Sequence, residues 1–499
     1  MAQRDWQRHF WRNTGTNYLR TILRLGSGLI LFRLTFEHLS TEAFGFYSLL
    51  WSLFGYTILL DFGLGFTAQK AVAEHSANGE TDRLNQLLAT IFWSFIGAGA
   101  LLLIVFLLGR DSFLSWTKVP LELHAEYGRA YTIFFCAMAC AFPLGIFPEM
   151  LRGLQRIDLA NWLTIGSTLL NLGLLSWALL AGWSLSAIIA ISVATTVAPS
   201  AGAWWLAARR ISGLSLHPRH YRLAAVRGVL SFSLVAYLIT FTNLIMARTD
   251  QAVISFSIGI GFIAMYQAGY KVAEMFGMFA VQMQDALTPA AAQLNVAKDN
   301  TGLRELLIKS TSLTILLTTP LYALSAAYLE PLVKLLTGLK ALDPATFWVG
   351  QALLLATYSS LLTNSCSKRI LMMCGWERKL LRISLTDATA NLILSLILVH
   401  RFGVLGVALG TLIPTFVVGW TWVVPLTATF ARTGVTAFLA ECFGPVVRPL
   451  LAGLGVLAAL LWFAPLPPDG GLMGCIWRGL LVVIPIALLS RRQIKTLAR

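Results

Sequence analysis

The chain has 499 residues, of which 57% are hydrophobic and only 12% charged, with a mean hydropathy of +0.71. A soluble chain of this length would divide into several domains; this composition excludes that and describes one polytopic membrane protein. The net charge of +15 does not point to nucleic acid, because the basic residues are distributed by side of the membrane.

Apolar runs of about 20 residues, each long enough to cross a bilayer as a helix, follow one another along the chain. In the first half they are expected at about 16–36, 44–66, 88–108, 130–148, 160–180 and 185–206. The second half continues at about 229–250, 261–284, 309–329, 346–365, 383–400 and 404–426, and two more spans follow at about 446–464 and 472–489. The expected fold is all-α, with about 14 transmembrane helices. Residues 1–208 form an N-terminal lobe, 209–228 a basic cytoplasmic linker and 229–430 a C-terminal lobe. Residues 431–499 supply two extra helices and a tail. Arg20, Arg24 and Arg33 interrupt the first span and no small-residue cleavage site is evident, so this span is expected to remain as an uncleaved anchor.

The pattern occurs twice. An offset of about 220 residues brings Tyr47 onto Tyr266 and Asn171-Leu172 onto Asn391-Leu392, and each half holds six spans. Both halves start from the same side, so the repeat is expected to be parallel, with its axis along the membrane normal. Alternating the spans from a cytoplasmic N-terminus puts 27 of the 38 Lys and Arg residues inside and seven outside. Both termini are therefore expected in the cytoplasm. Pro143, Pro148, Pro199, Pro320, Pro414 and Pro425 lie within spans, where each removes a backbone donor and bends its helix. The six cysteines have neither a disulfide-framework spacing nor a zinc spacing with His, and they read as small apolar packers; no metal site is expected.

Ionisable residues inside spans are the strongest local signal, because a charge at the bilayer centre costs roughly 2.5–3.5 kcal/mol on insertion scales. Asn17, Arg20, Arg24 and Ser27 recur at three- or four-residue steps on one face of the first span. Arg24 is the deeper of the two arginines. In the eighth span Gln267, Lys271, Glu274, Met278, Gln282 and Asp285 form a longer stripe. Lys271 and Glu274 stand close enough to pair, which makes either a structural ion pair or a cavity wall with Lys271 offered to an anion. The seventh span carries Asn243, Arg248 and Asp250 toward its outer end, where an Arg–Asp pair could close a gate or equally stand at the interface with no gating role. Asp61, Asp387 and Asn391 complete the candidates, and any of these carboxylates could carry a coupling proton. No phosphate loop, HExxH or GxSxG motif occurs, so no enzyme is expected.

Several segments resemble a known superfamily. They are Asn13 and Asn17, Ala43-Phe44-Gly45-Phe46-Tyr47, and Leu59-Leu60-Asp61-Phe62-Gly63-Leu64. Arg248-Thr249-Asp250-Gln251-Ala252-Val253-Ile254, Met265-Tyr266 and Pro289 follow in the second half. Together they resemble the polysaccharide-biosynthesis branch of the multidrug/oligosaccharidyl-lipid/polysaccharide exporter superfamily, which includes the O-antigen and exopolysaccharide repeat-unit flippases. The resemblance implies two six-helix lobes around a cavity that opens alternately to each side of a bacterial inner membrane. It also implies an isoprenoid-diphosphate-linked oligosaccharide as cargo, with a glycan polymerase and glycosyltransferases as partners beside the membrane lipids. A diphosphate suits buried guanidinium groups. Arg24 and Lys271 fit that role by depth and face, with Arg20 and Arg248 as second choices. No bound cofactor is implied, and coupling to H+ or Na+ stays open. Lipid II is the second cargo, because the charge cluster that its flippases carry in the first helix is only partly matched by Arg20 and Arg24. A cation-coupled exporter of small molecules is a further transport reading. A non-transporting scaffold of a glycan-assembly complex would not need the stripe from Gln267 to Asp285.

Overall fold

The computed structural model describes residues 2–55, 64–65, 67–69, 71–72, 80–154, 156–211, 213–222, 234–284, 287–463 and 472–497, and among them there is no strand. Eight helices among the described residues are long and apolar enough to cross a membrane, which makes the chain a multi-pass membrane protein. The first helix, which carries six arginines, is not among the eight.

The chain forms two compact units. One comprises residues 1–237 with 259–261, and the other 238–258 with 262–499. In the first unit the main helices are α1 (Ala2–His38), α2 (Thr41–Gly55), α3 (Thr81–Leu108), α4 (His124–Leu144), α5 (Ile146–Gly153), α6 (Ile157–Leu180) and α7 (Leu185–Arg210). Ser184 starts α7 by accepting a hydrogen bond from the Ala187 amide, and Arg209 and Arg210 occupy its last turn, where they complement the helix dipole. Pro143 and Pro148 flank the break between α4 and α5 at Gly145. α1 packs on α6, α3 on α4, and α7 on both α4 and α6. The segment after α7 is stapled to α3. Asn85 Nδ2 donates to the Gly213 carbonyl at 2.8 Å, its Oδ1 accepts from the Ser215 amide at 2.9 Å, and Trp93 Nε1 donates to the Leu216 carbonyl at 2.9 Å.

The second unit continues α8 (Leu234–Ser257) and holds α9 (Phe262–Gln284), α10 (Asn300–Ala327), α11 (Pro344–Ser360) and α12 (Cys366–Met373). They are followed by α13 (Glu377–Val418), α14 (Val424–Phe430), α15 (Val435–Phe463) and α16 (Leu472–Leu497). Asp299 caps α10 by accepting from the Gly302 amide at 2.8 Å. π-helical turns at Leu361–Ser365 and Gly419–Val423 join α11 to α12 and α13 to α14. Such turns shift the register of a helix and re-aim the side chains that follow.

α13 contains two predicted spans. They are separated at Gly403, whose φ of 57° is open to glycine at little cost. In an unbroken helix the 20 residues from Asn391 to Thr411 would cover about 30 Å. Their side chains instead hydrogen-bond at 3.0 Å, so the chain reverses at Gly403 into a helical hairpin. Small residues let the two arms close: a Cβ on Gly406 would lie 2.1 Å from the Leu398 carbonyl oxygen, and one on Gly410 2.6 Å from the Ser395 Cα. This is the small-xxx-small spacing that brings membrane helices into backbone contact. The same polar clasp occurs in the first unit, where Asn171 Nδ2 donates to Thr195 Oγ1 at 2.6 Å between α6 and α7.

Gly410→Val should open this hairpin. Overpacking a closed contact costs about 1–3 kcal/mol, so the melting temperature of the purified protein should fall by several degrees. Gly434→Ala, which meets nothing within 4 Å, should leave it unchanged. Equal melting of both variants would contradict the contact.

Candidate functional site

The helical hairpin of α13 presents a polar cluster to α8 and α9 inside the second unit. Asp250 on α8 is 5% exposed and Asp387 on α13 is 2% exposed, while Asn391 is fully buried. Tyr266 on α9 donates a short hydrogen bond to Asp250 Oδ2. Thr411 Oγ1 donates to the same oxygen at 2.9 Å and accepts from Asn391 Nδ2 at 3.0 Å. Asp250 thus takes hydrogen bonds from Tyr266 and Thr411 in an internal polar relay.

Asp250, Tyr266, Asp387 and Thr411 line a cavity of about 260 Å³, together with Gln251, Tyr270, Asn364 and Lys368. Four buried oxygens of the lining have no hydrogen-bond partner among the described residues: Asp250 Oδ1, Gln251 Oε1, Asn364 Oδ1 and Asp387 Oδ1. A buried acceptor left alone costs free energy, about 1–3 kcal/mol and more for a charged one. Four such acceptors face one cavity, and hard oxygen donors of this kind suit a small hard cation. A larger cavity of about 570 Å³, lined by residues such as Tyr322, Trp348, Leu405 and Leu454, has no ionisable carboxylate or ammonium among its lining side chains.

The stripe on α9 is partly as expected. Gln267, Lys271 and Glu274 are half-buried and Met278 is exposed, while Ala268, Val272 and Ala273 on the other side are buried. The buried side meets α11 so closely that a Cβ on Gly269 would lie 2.8 Å from the Gly350 amide nitrogen. Lys271 Nζ and Glu274 Oε2 form an ion pair at 2.8 Å. Asp285 and Asp61 lie outside the described residues, as do the side chains of Asn243 and Gln282.

In the first unit α1 presents a basic face. Arg24 is exposed and pairs with none of the described residues, whereas Arg20 Nη2 donates to Asn17 Oδ1 at 2.8 Å. Arg20 also feels the like charges of Arg24 and of Arg152 on α5. Ser27, expected on the same face, turns inward and is buried. Asn161 Nδ2 donates to Thr16 Oγ1 at 3.1 Å and ties α1 to α6, which leaves the arginine side of α1 uncovered within this unit.

Tyr266 and Asn391 were legible as repeat landmarks, and Asp250, Asp387 and Asn391 as candidate polar groups. Thr411, Asn364 and Lys368 were not singled out. The repeat gives no direct signal for Thr411: the offset of 220 that joins Asn171 to Asn391 carries Thr195, the partner of Asn171, onto Thr415.

Known proteins place this architecture. The sequence model of the family described as polysaccharide biosynthesis protein matches residues 10–295. No match was found among curated proteins. The solved structure of the lipid II flippase MurJ in an inward closed conformation is similar with a TM-score of 0.72 at 16% identity, over 96% of this chain and 99% of that one. An inward-facing multidrug resistance MATE family transporter of the MOP superfamily has a TM-score of 0.67 at 16% identity, over 84% of this chain and 95% of that one. The Vibrio cholerae MATE transporter VcmN follows with a TM-score of 0.54 at 17% identity, over 85% and 96%. At these identities the likeness shows the fold, that of the MOP transporters.

Proposed function

We propose, from the premise that the chain belongs to the polysaccharide biosynthesis protein family, that it flips an isoprenoid-diphosphate-linked oligosaccharide across the bacterial inner membrane by alternating access. The chain is a transporter and not an enzyme. The observation that carries the cargo reading is the basic face of α1. An exposed guanidinium at Arg24, beside Arg20, has no partner among the described residues of an apolar protein. A charge so placed needs a counter-charge, and a diphosphate supplies one with bidentate acceptor geometry. Lipid II, the cargo of the structurally similar flippase MurJ, shares that diphosphate and is the second cargo reading. The glycan polymerase and glycosyltransferases of the same pathway are the proposed partners. The polar cluster of the second unit supports cation coupling. A proton carrier would use only the carboxylates, whereas the unpartnered amide oxygens of Gln251 and Asn364 in the same lining are donors of the kind a metal cation takes. Na+ is therefore the coupling ion proposed.

Arg24→Ala should lower glycan export in a complementation assay by about tenfold or more, with protein level unchanged, and Arg24→Lys should retain part of it because charge persists while the fork geometry is lost. Lys271→Ala should also lose export. If Lys271 only neutralises Glu274, the Lys271→Ala/Glu274→Ala double variant should recover, because no unpaired charge remains. Continued loss in a folded double variant supports contact with the cargo.

Binding to the folded state raises stability. Na+ should thus raise the melting temperature of the purified protein relative to choline, and Asp250→Asn should abolish the rise. A sodium-independent melt in the wild type would sink the coupling reading.

Both termini and the stapled segment after α7 are assigned to the cytoplasm. A cysteine introduced by His217→Cys should react with an impermeant maleimide only after cells are opened. Labelling in intact cells would reverse the orientation.

A further inference from the structure

Lys368 lies on α12, just past the π-helical turn, and its side chain lines the same cavity as Asp250 and Asp387. It acts electrostatically on Asp387, yet no hydrogen bond or ion pair fastens it to a described residue. The charged side chains of the lining are thus two carboxylates and one ammonium. Other charges stand nearby without lining it: Arg248 precedes Asp250 by two residues, Arg369 follows Lys368, and Lys271 and Glu274 neutralise each other.

We infer that Lys368 is a specificity-determining residue of this cavity, an internal cation that holds its net charge at −1 so that it accepts one monovalent metal ion and rejects a divalent one. The inference rests on the coupling reading above and adds to it the rule by which the ion is chosen. With both carboxylates ionised and Lys368 absent, the cavity would carry −2, and a doubly charged ion of similar size would be the better match. With Lys368 present, one Na+ brings the lining to neutrality, whereas Ca2+ would leave a buried surplus charge. Na+ and Ca2+ both favour oxygen donors, so charge and not ligand type is left to separate them. Mobility suits the role. An ammonium on a four-carbon stem can approach the carboxylates when the metal leaves and withdraw when it returns.

The test is cation binding by the full-length purified protein at pH 8, read by equilibrium dialysis of radioactive Na+ and Ca2+ and by thermal stabilisation. The wild type is expected to bind Na+ and not Ca2+. Lys368→Met should bind Na+ about tenfold or more tightly, since a like charge in a low-dielectric cavity has been removed, and should gain saturable Ca2+ binding. Lys368→Arg keeps the charge and should keep the wild-type preference. Lys368→Met/Asp387→Asn restores a net charge of −1 and should lose the Ca2+ binding again. If Lys368→Met does not fold, Lys368→Gln carries the same charge change with a polar side chain. Unaltered Na+ affinity with no Ca2+ binding in the folded neutral variants would overturn the inference while leaving the coupling reading intact. Loss of Na+ binding in those variants would overturn it too, by making Lys368 a support of the site and not a competitor in it. A wild type that binds no Na+ would remove both.

Discussion

A polar group carried into the hydrocarbon layer has no water to turn to, so its partners must come from the protein itself. Asp250 shows what this demands. Its carboxylate is satisfied on one oxygen by Tyr266 and Thr411, and Thr411 is in turn held by Asn391. None of these contacts is local in the chain. They exist because α13 doubles back at Gly403 and because Gly406 and Gly410 let its two arms approach to backbone contact. The glycine pair Gly269 and Gly350 does the same for α9 and α11, placing Tyr266 and Tyr270 beside the cavity. Four glycines and one reversal thus hold the cavity together. The oxygens that remain unpartnered are then a property of the site, not of loose packing around it.

The two units use one clasp for different ends. Asn171 and Thr195 bind each other in the first unit as Asn391 and Thr411 do in the second. Yet Ser167, one turn before Asn171, donates its hydroxyl to the Thr195 carbonyl, whereas Asp387, one turn before Asn391, keeps an oxygen free. Tyr47 meets Ser192 at 3.2 Å, whereas its counterpart Tyr266 meets a carboxylate. The first unit closes its polar groups on each other. The second substitutes acids for neutral hydroxyls and leaves acceptors over.

Fold class was legible because a bilayer forces long apolar runs and a fixed distribution of Lys and Arg, and the repeat could be seen in rare polar residues such as Asn171 and Asn391. The site was legible only in pieces. Asp250, Asp387 and Asn391 stood out because acids and amides are scarce in spans. What joined them did not stand out, because Thr411 is one of many threonines and its role depends on a reversal at Gly403. Lys368 was hidden for a different reason. It falls among basic residues such as Arg369, Arg378 and Lys379, and only its place on α12, just past the π-helical turn, brings it into the cavity lining. Ser27 illustrates the opposite failure. Spacing put it on the arginine face of α1, but a face about 100° wide covers both an open and a packed edge.

The distribution of charge suggests why cargo and ion would move together on the proposed reading. The first unit offers the Arg24 guanidinium without a partner among the described residues, and the second offers carboxylates with oxygens to spare. Each set alone leaves a buried charge that disfavours any state shielded from water. A diphosphate cancels the first and a monovalent cation the second. Occlusion, the step every alternating-access cycle must pass, is then least costly when both are bound or both sets have found internal partners. The Lys271–Glu274 pair and the reach of Lys368 toward Asp387 provide such internal partners for the empty return. Coupling in this scheme needs no direct contact between cargo and ion. It needs only that a half-loaded protein carry a charge it cannot bury.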